Sequence, residues 1–174
     1  MSNNFDVYNQ KRTAIIEIEN TNIEKLSIED IGEISKRELL LLCSALYWAE
    51  GFQNRNNSYG NKRIQFVNSD PAMIVLFLRF LREILTIKEE KIKISIRVHP
   101  NMEKQKAIAF WSEITKIPSR EFKITNQVSI ASKGVRPQNT LPYGTIDMRV
   151  YSRKDFYRIN GWIKGLKDQV SESL

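Results

Sequence analysis

Glu50 is a carboxylate at an electrostatically unfavourable position, the C-terminal end of a predicted helix. Glu50 lies in the last turn of a predicted helix and directly precedes Gly51. A negative charge at the C-terminal end of a helix opposes the helix dipole by ~0.3–1 kcal/mol. We therefore expect a cation beside Glu50, either a lysine or arginine of the protein or a bound divalent metal ion. The same helix carries Ser44, Ala45 and Ala49, small residues that would let two such helices approach closely.

A second group of residues is basic and falls on one side of the predicted strands. Alternation separates an apolar side, which must meet the helices, from a polar side that forms the open face of a sheet. That polar side would gather six Arg or Lys and three Gln, with Asp147 as the lone acid nearby. Its members are Gln53, Arg55, Arg63, Gln65, Lys93, Ser95, Arg97, Lys123, Thr125, Gln127 and Arg149.

The chemistry of this face favours nucleic acid as its partner. Arg and Lys bind guanine edges and phosphates, Gln binds adenine, and a two-stranded ribbon fits the major groove. A merely solvated face is the alternative, but such faces usually mix both charge signs. The loop at 131–140 carries Lys133 and Arg136, which would follow the phosphate backbone unless the loop is a plain hairpin connection.

The distribution of charge along the chain points the same way. The 174 residues include 27 Lys or Arg and 20 Asp or Glu, for a net charge of +7. Residues 1–38 hold 5 basic and 8 acidic side chains, whereas residues 51–174 hold 22 basic and 11 acidic ones. A basic domain of this kind is well suited to a polyanion, although a merely soluble basic protein would have the same composition.

Several classes of protein are excluded or disfavoured. A single cysteine, Cys43, cannot form an internal disulfide, and with one histidine it cannot build a zinc site. His99, the only imidazole, is far from Cys43 in sequence, which disfavours Cys-His and Ser-His-Asp catalysis. The first residues lack the apolar core of a signal peptide, and no apolar run approaches the ~20 residues that span a bilayer. We expect a cytoplasmic protein with no membrane association.

The elements that must position these residues follow an alternating order. A capping box at 35–38 opens a helix that Gly51 ends in a left-handed conformation. Then come a hairpin (52–55 and 62–67), a helix (70–85), a strand (91–99), a helix (101–116), two strands (122–130 and 145–151) and a helix (152–166). Asp70 as N-cap and Pro71 at the first helical position open the helix over 70–85, and a capping box of Ser152 and Asp155 opens the last helix. This order predicts an α+β fold whose mixed or antiparallel sheet carries helices on one face. Residues 1–34 are interpreted as an acidic, partly helical arm, 35–168 as the domain and 169–174 as a tail.

The helix with Glu50 also resembles a known motif. Cys43-Ser-Ala-Leu-Tyr-Trp-Ala-Glu-Gly51 is similar to the LAGLIDADG motif of homing endonucleases, in a divergent form that is roughly L-x-x-L-Y-W-x-E-G. Other segments resemble parts of prokaryotic LAGLIDADG-like proteins, and the resemblance covers about residues 39–166. These segments are Phe66-Val-Asn-Ser-Asp-Pro71, Leu76-Phe-Leu-Arg-Phe-Leu81, Phe110-Trp111 and Tyr143-Gly-Thr145.

The resemblance implies a saddle-shaped sheet on double-stranded DNA and a dimer axis through paired motif helices. Because the chain has one motif, it implies a homodimer whose interface includes Ser44, Ala45, Trp48 and Ala49. It also implies that Glu50 is the catalytic, metal-binding carboxylate. Two such carboxylates would hold Mg²⁺ or another divalent cation, which activates water and stabilises the leaving oxygen of a phosphodiester.

The chain departs from the family pattern at several places. Ala45 stands where the motif has Gly, Trp48 where it has Asp, and Glu50 where it has a final Asp. An additional predicted helix separates the third and fourth strands, which are adjacent in the minimal family core. No family residue that assists water activation can be aligned; Arg63, Gln65, Arg97 and Lys123 are candidates by their strand parity.

Three functions remain open from the sequence. The first is a metal-dependent, site-specific DNA endonuclease. The second is a DNA-binding regulator that keeps the saddle and has lost cleavage, with Glu50 paired to a protein cation. The third is an RNA-binding splicing helper. All three require phosphate contacts, so their binding must weaken as salt rises.

Overall fold

The computed structural model describes residues 3–52, 62–98, 102–126 and 141–172. The chain divides into two compact units, Met1–Ser35 and Lys36–Leu174. The described part of the first unit is one continuous helix, α1 (Asn3–Ile31), followed by residues 32–35, which have no regular secondary structure. The polar, acidic arm that the sequence indicated as partly helical therefore forms eight turns without interruption, at 3.6 residues per turn over 29 residues.

The second unit is an α+β domain built on a four-stranded mixed sheet. Its elements in chain order are α2 (Lys36–Glu50), β1 (Ile64–Asn68), α3 (Pro71–Glu83), β2 (Ile92–Val98), α4 (Lys104–Thr115), β3 (Phe122–Asn126), β4 (Thr145–Val150) and α5 (Arg153–Ser171). The strand order is β1-β4-β2-β3. Strand β4 is antiparallel to both of its neighbours, whereas β2 and β3 are parallel and joined through α4.

Local sequence signals explain where several helices begin. Asp70 accepts hydrogen bonds from the backbone N–H groups of Ala72 and Met73 at 2.7 and 3.3 Å, and Pro71 occupies the first turn. Proline fits there because its missing N–H would have no partner within the helix. At the start of α5, Ser152 Oγ accepts from the backbone N–H of Asp155 at 3.2 Å. Both caps were predicted from the sequence.

The core lies between the apolar side of the sheet and the helices. Ile94, Ile96, Ile146 and Met148 are at most 3% exposed, as expected from the strand alternation. The rings of Phe66 on β1 and Phe77 on α3 stack with their centroids 4.3 Å apart. Burying such side chains contributes roughly 1.5–3 kcal/mol each to folding. The sheet is therefore fixed on its helical side and presents its polar side outward.

Some predicted boundaries were wrong. Helix α4 begins at Lys104, not at 101, and α5 continues to Ser171, past the predicted end near 166 and into the predicted tail. Gly51 is not in a left-handed conformation: within the described residues the glycines with positive φ are Gly32 and Gly144. The predicted strand at 52–55 beyond its first residue, and the end of the strand predicted at 122–130, lie outside the described residues.

Candidate nucleic-acid interface and the end of helix α2

Strand register brings the predicted basic side chains into neighbouring positions. Arg149 in β4 lies opposite Gln65 in β1 and Lys93 in β2. Two residues before Arg149 in β4, Asp147 is opposite Val67 in β1 and Ser95 in β2. Ser95 is in turn opposite Lys123 in β3. Arg97 follows on β2, opposite Thr145 and Thr125. The polar residues therefore occupy one face across all four strands, which we call the cationic face.

A buried carboxylate stands at the centre of this face. Arg149 donates to Asp147 through Nε at 2.9 Å and through Nη2 at 2.6 Å, and Arg97 also forms an ion pair with it. Gln65 Nε2 lies 3.0 and 3.1 Å from the two carboxylate oxygens, while Gln65 Oε1 accepts from Arg63 Nε at 3.0 Å. The side chain of Asp147 is 0% exposed, so its charge is balanced within this cluster.

The cluster changes the proton affinity of Asp147. Burial by itself raises the pKa of its carboxyl, but the hydrogen bonds and charges of Arg149 and Arg97 outweigh burial and lower the pKa below its usual value. The hydrogen bonds from Arg149 likewise raise the pKa of its guanidinium. Asp147 is therefore ionised at neutral pH and fixes two arginines whose side chains remain 27% and 36% exposed.

The cationic face keeps a positive balance despite this acid. Its described members include one carboxylate and four cations in the strands, Lys93, Arg97, Lys123 and Arg149. A fifth cation, Arg63, directly precedes β1 and joins the face through its hydrogen bond to Gln65. Lys93 and Lys123 are exposed. Gln65 was predicted to contact DNA, but it is only 6% exposed and its amide is hydrogen-bonded to Asp147. It therefore supports the cluster instead of offering a free amide to a base.

Five further residues predicted to bind DNA cannot be placed on this face. They lie outside the described residues: Gln53, Arg55, Gln127, Lys133 and Arg136.

The end of α2 is held against β1 by a tyrosine that the sequence analysis did not single out. Tyr47 Oη donates to the carbonyl of Phe52 at 3.0 Å and accepts from the backbone N–H of Gln65 at 3.3 Å. Burial raises the pKa of Tyr47 to about 12, against the hydrogen bond from Gln65 and the charge of Arg63. Gly51 then pairs with Phe66 in an antiparallel bridge. Tyr47 thus joins α2 to the strand that carries Gln65.

Close packing explains why glycine follows the helix. A Cβ built on Gly51 would lie 2.4 Å from both the carbonyl oxygen and a ring carbon of Tyr47. Gly144 faces a similar constraint, because its Cβ would lie 2.4 Å from the carbonyl oxygen of Arg97 and its φ is +70°. The two glycines permit backbone approach beside the acidic helix end and at the start of β4, respectively.

Glu50 is exposed at the last position of α2. Neither a basic residue in the last helical turn nor an ion pair with Glu50 occurs within the described residues. Glu50 alone offers a metal ion one carboxylate, and the described ranges contain no group of three or more His, Cys, Asp or Glu that could hold a metal. A divalent ion at Glu50 would thus need oxygen ligands from a second chain, substrate or water.

The outward side of α2 is apolar. Leu42 and Trp48 are 47% and 41% exposed, and Ala45 and Ala49 are exposed between them. Lys167 Nζ of α5 lies 4.7 Å from the centre of the Trp48 ring, so this tryptophan is partly covered by its own chain. We call these four residues the α2 outer face.

Ser44 does not belong to this outer face, contrary to our expectation of a dimer contact. It is 0% exposed on the inner side of α2, together with Leu39, Cys43 and Tyr47. It lies one helical position before Ala45, and this rotation of about 100° is enough to turn it inward. Its hydroxyl is the one buried side-chain polar atom without a hydrogen-bond partner among the described residues.

No helix within the described ranges is long and apolar enough to cross a membrane. A comparison of the chain with known protein families found no match, and neither did comparisons with curated proteins and with solved structures.

Proposed function

We propose that this chain is a LAGLIDADG-like protein that binds a specific double-stranded DNA site as a homodimer and cleaves it with a divalent metal ion. The cationic face carries this proposal. It is a four-stranded surface on which five cations outnumber one carboxylate, and that carboxylate fixes two of the arginines. A surface of this sign and shape is suited to the phosphates and the major groove of duplex DNA.

The proposed dimer supplies what a single chain lacks. The α2 outer face offers small and apolar residues on the side of the helix that points away from the core. Packing two copies of it about a two-fold axis would bring two Glu50 carboxylates toward each other at the ends of the paired helices. Magnesium bound there would supply an activated water and stabilise the leaving oxygen of the phosphodiester.

A second candidate is a DNA-binding protein that does not cleave. The observation that favours it is the ligand count, since Glu50 stands without two further potential metal ligands in the described ranges. This candidate retains the cationic face and the dimer, so both candidates predict binding that weakens with salt. They differ in products, because only the endonuclease converts duplex DNA to nicked or cut strands.

Cleavage of a DNA library that contains the target site distinguishes the two. With Mg²⁺, the endonuclease proposal predicts cut products from the wild type and none from Glu50→Gln. Glu113→Gln is the matched control, because Glu113 is an exposed glutamate on α4. Retained cleavage by Glu50→Gln would contradict the metal-site assignment, and binding without products from the wild type would favour the non-cleaving candidate.

A further inference from the structure

Helix α1 exposes an unusual amount of apolar surface. Every described side chain from Phe5 to Glu33 is exposed, and ten large apolar residues of the helix are between 43% and 73% exposed. Most of the stability of a protein helix comes from packing an apolar face against another element. Where such exposed apolar residues are contiguous, they mark an interaction surface.

Six of these apolar residues share one side of the helix. At 100° per residue they fall within an arc of about 100°, which also contains Arg12 and Glu19 near its middle and Asp30 beyond the apolar residues, at the end of the helix. The six are Phe5, Tyr8, Ile15, Ile16, Ile23 and Leu26. We call these six residues, together with Arg12 and Glu19, the α1 stripe.

We propose that the α1 stripe pairs with the α1 stripe of a second copy of this chain in antiparallel orientation. In one register, residues whose numbers add to 31 lie opposite each other. Phe5 then faces Leu26, Tyr8 faces Ile23 and Ile15 faces Ile16. The same register places Arg12 of each chain opposite Glu19 of the other, so both charges within the stripe find a partner of opposite sign.

Charge complementarity favours a second copy of α1 as the partner of the α1 stripe, and it favours the antiparallel orientation. A parallel, in-register pair would place Arg12 against Arg12 and Glu19 against Glu19, which is repulsive at both positions. An anionic lipid surface is also disfavoured, because α1 carries six acidic and three basic side chains. The inference does not depend on DNA binding, on cleavage or on the α2 outer face.

Disulfide trapping in the full chain tests the orientation. Near the two-fold axis the two Ile15 positions are adjacent, whereas the two Tyr8 positions are 15 residues apart along the axis, or about 22 Å. A disulfide needs Cβ atoms about 3.5–4.5 Å apart. Ile15→Cys should therefore form a cross-linked dimer under mild oxidation, and Tyr8→Cys should not. Ala14→Cys is the matched control, at the same height on the opposite side of α1.

The native cysteine does not interfere, because Cys43 is buried with 0% exposure and burial raises its pKa to about 12. Cross-linking of Ile15→Cys and Tyr8→Cys to the same extent would show a parallel pair and overturn the proposal. Equal cross-linking of Ile15→Cys and Ala14→Cys would also overturn it, as would no cross-linking of Ile15→Cys.

A charge-reversal cycle tests the register independently. Arg12→Glu alone and Glu19→Arg alone each place like charges opposite each other, and we expect the yield of the Ile15→Cys cross-link to fall on the order of tenfold. The double reversal restores opposite charges and should restore the yield. Because Arg12 and Glu19 are seven residues apart on one helix, about 10 Å, rescue within a single helix is not expected. Failure of the double variant to recover would contradict the register.

Discussion

Gln65 donates its side-chain amide to both carboxylate oxygens of Asp147, at 3.0 and 3.1 Å, and so joins the edge strand β1 to the central strand β4. The backbone of the same glutamine is hydrogen-bonded to the end of α2 and the residue that follows it: its N–H donates to Tyr47 Oη, and its carbonyl accepts from the N–H of Phe52. The acidic end of α2 and the cationic face are therefore parts of one hydrogen-bonded unit. Substitutions at either end of this unit should affect the other.

Replacement of Asp147 by Asn should destabilise the domain by ~1–3 kcal/mol. The change removes the charge that balances Arg97 and Arg149 and leaves their partly buried guanidinium groups with a weaker acceptor. Urea unfolding measures the effect. Asp168→Asn on α5 is the control, because Asp168 is exposed, and it should change stability by less than ~0.5 kcal/mol. Equal stabilities of the wild type and Asp147→Asn would refute the structural role of the cluster.

The stabilisation from Asp147 should also depend on pH. The folded-state pKa of its carboxyl is lowered relative to the usual value of ~3.9, so folding favours the ionised form. The stability advantage of the wild type over Asp147→Asn is therefore complete above about pH 5 and declines as the pH falls through the lowered folded-state pKa. Unfolding free energies measured at pH 7, 5, 4 and 3 test this. A stability advantage of the wild type that grows as the pH falls would contradict a lowered folded-state pKa of Asp147.

Tyr47→Phe should loosen the end of α2 while preserving the core. The substitution removes the hydroxyl that bridges the carbonyl of Phe52 and the N–H of Gln65, and it keeps the ring that stacks 5.8 Å from Phe77. We expect a loss of ~1–2 kcal/mol and faster amide hydrogen exchange at Phe52 and Gln65. Tyr157→Phe on α5 is the control because Tyr157 is 54% exposed. Unchanged exchange at both amides would contradict the bridge.

Gly51→Ala should be more damaging than an ordinary glycine substitution. The new methyl group would meet the backbone oxygen of Tyr47 at 2.4 Å, and a backbone atom cannot move aside as a flexible side chain can. We expect a loss of more than ~2 kcal/mol in thermal or urea unfolding. Gly161→Ala on α5 has no neighbouring atom within 4 Å and should be neutral or stabilising. Similar effects of the two substitutions would be inconsistent with the packing at Gly51.

The sequence predicted the elements whose signals are local. Alternation over 91–99 predicted β2, and Asp70 with Pro71 predicted the start of α3, because these patterns depend on neighbours in the chain. The central role of Asp147 depends on which strands flank β4. Alternation placed it on the polar face, but only the β1-β4-β2 order encloses it between Gln65 and Arg97. The parallel pairing of β2 and β3 is likewise a matter of topology, not of local pattern.

At the end of α2, too, the sequence predicted some features and only the fold shows the others. Ser44 and Ala45 are both small and adjacent in sequence, and only the orientation of α2 on the domain shows that one is buried and the other exposed. Gly51 was correctly associated with the end of the helix, but its reason is the contact with Tyr47 and not a positive φ. The sequence did contain a signal for the role of Tyr47: an aromatic residue four positions before a glycine at a helix end can pack against that glycine.

The proposed binding of duplex DNA to the cationic face is tested most directly by the salt dependence of binding. For Lys93→Ala/Lys123→Ala, which removes two exposed cations of the face, the slope of log K against log salt should become shallower by about 1.8, at roughly 0.9 for each phosphate contact. Lys164→Ala, an exposed lysine on α5, should leave the slope unchanged. A double variant that keeps the wild-type slope, or a wild type that does not bind duplex DNA, would contradict the proposed role of the cationic face.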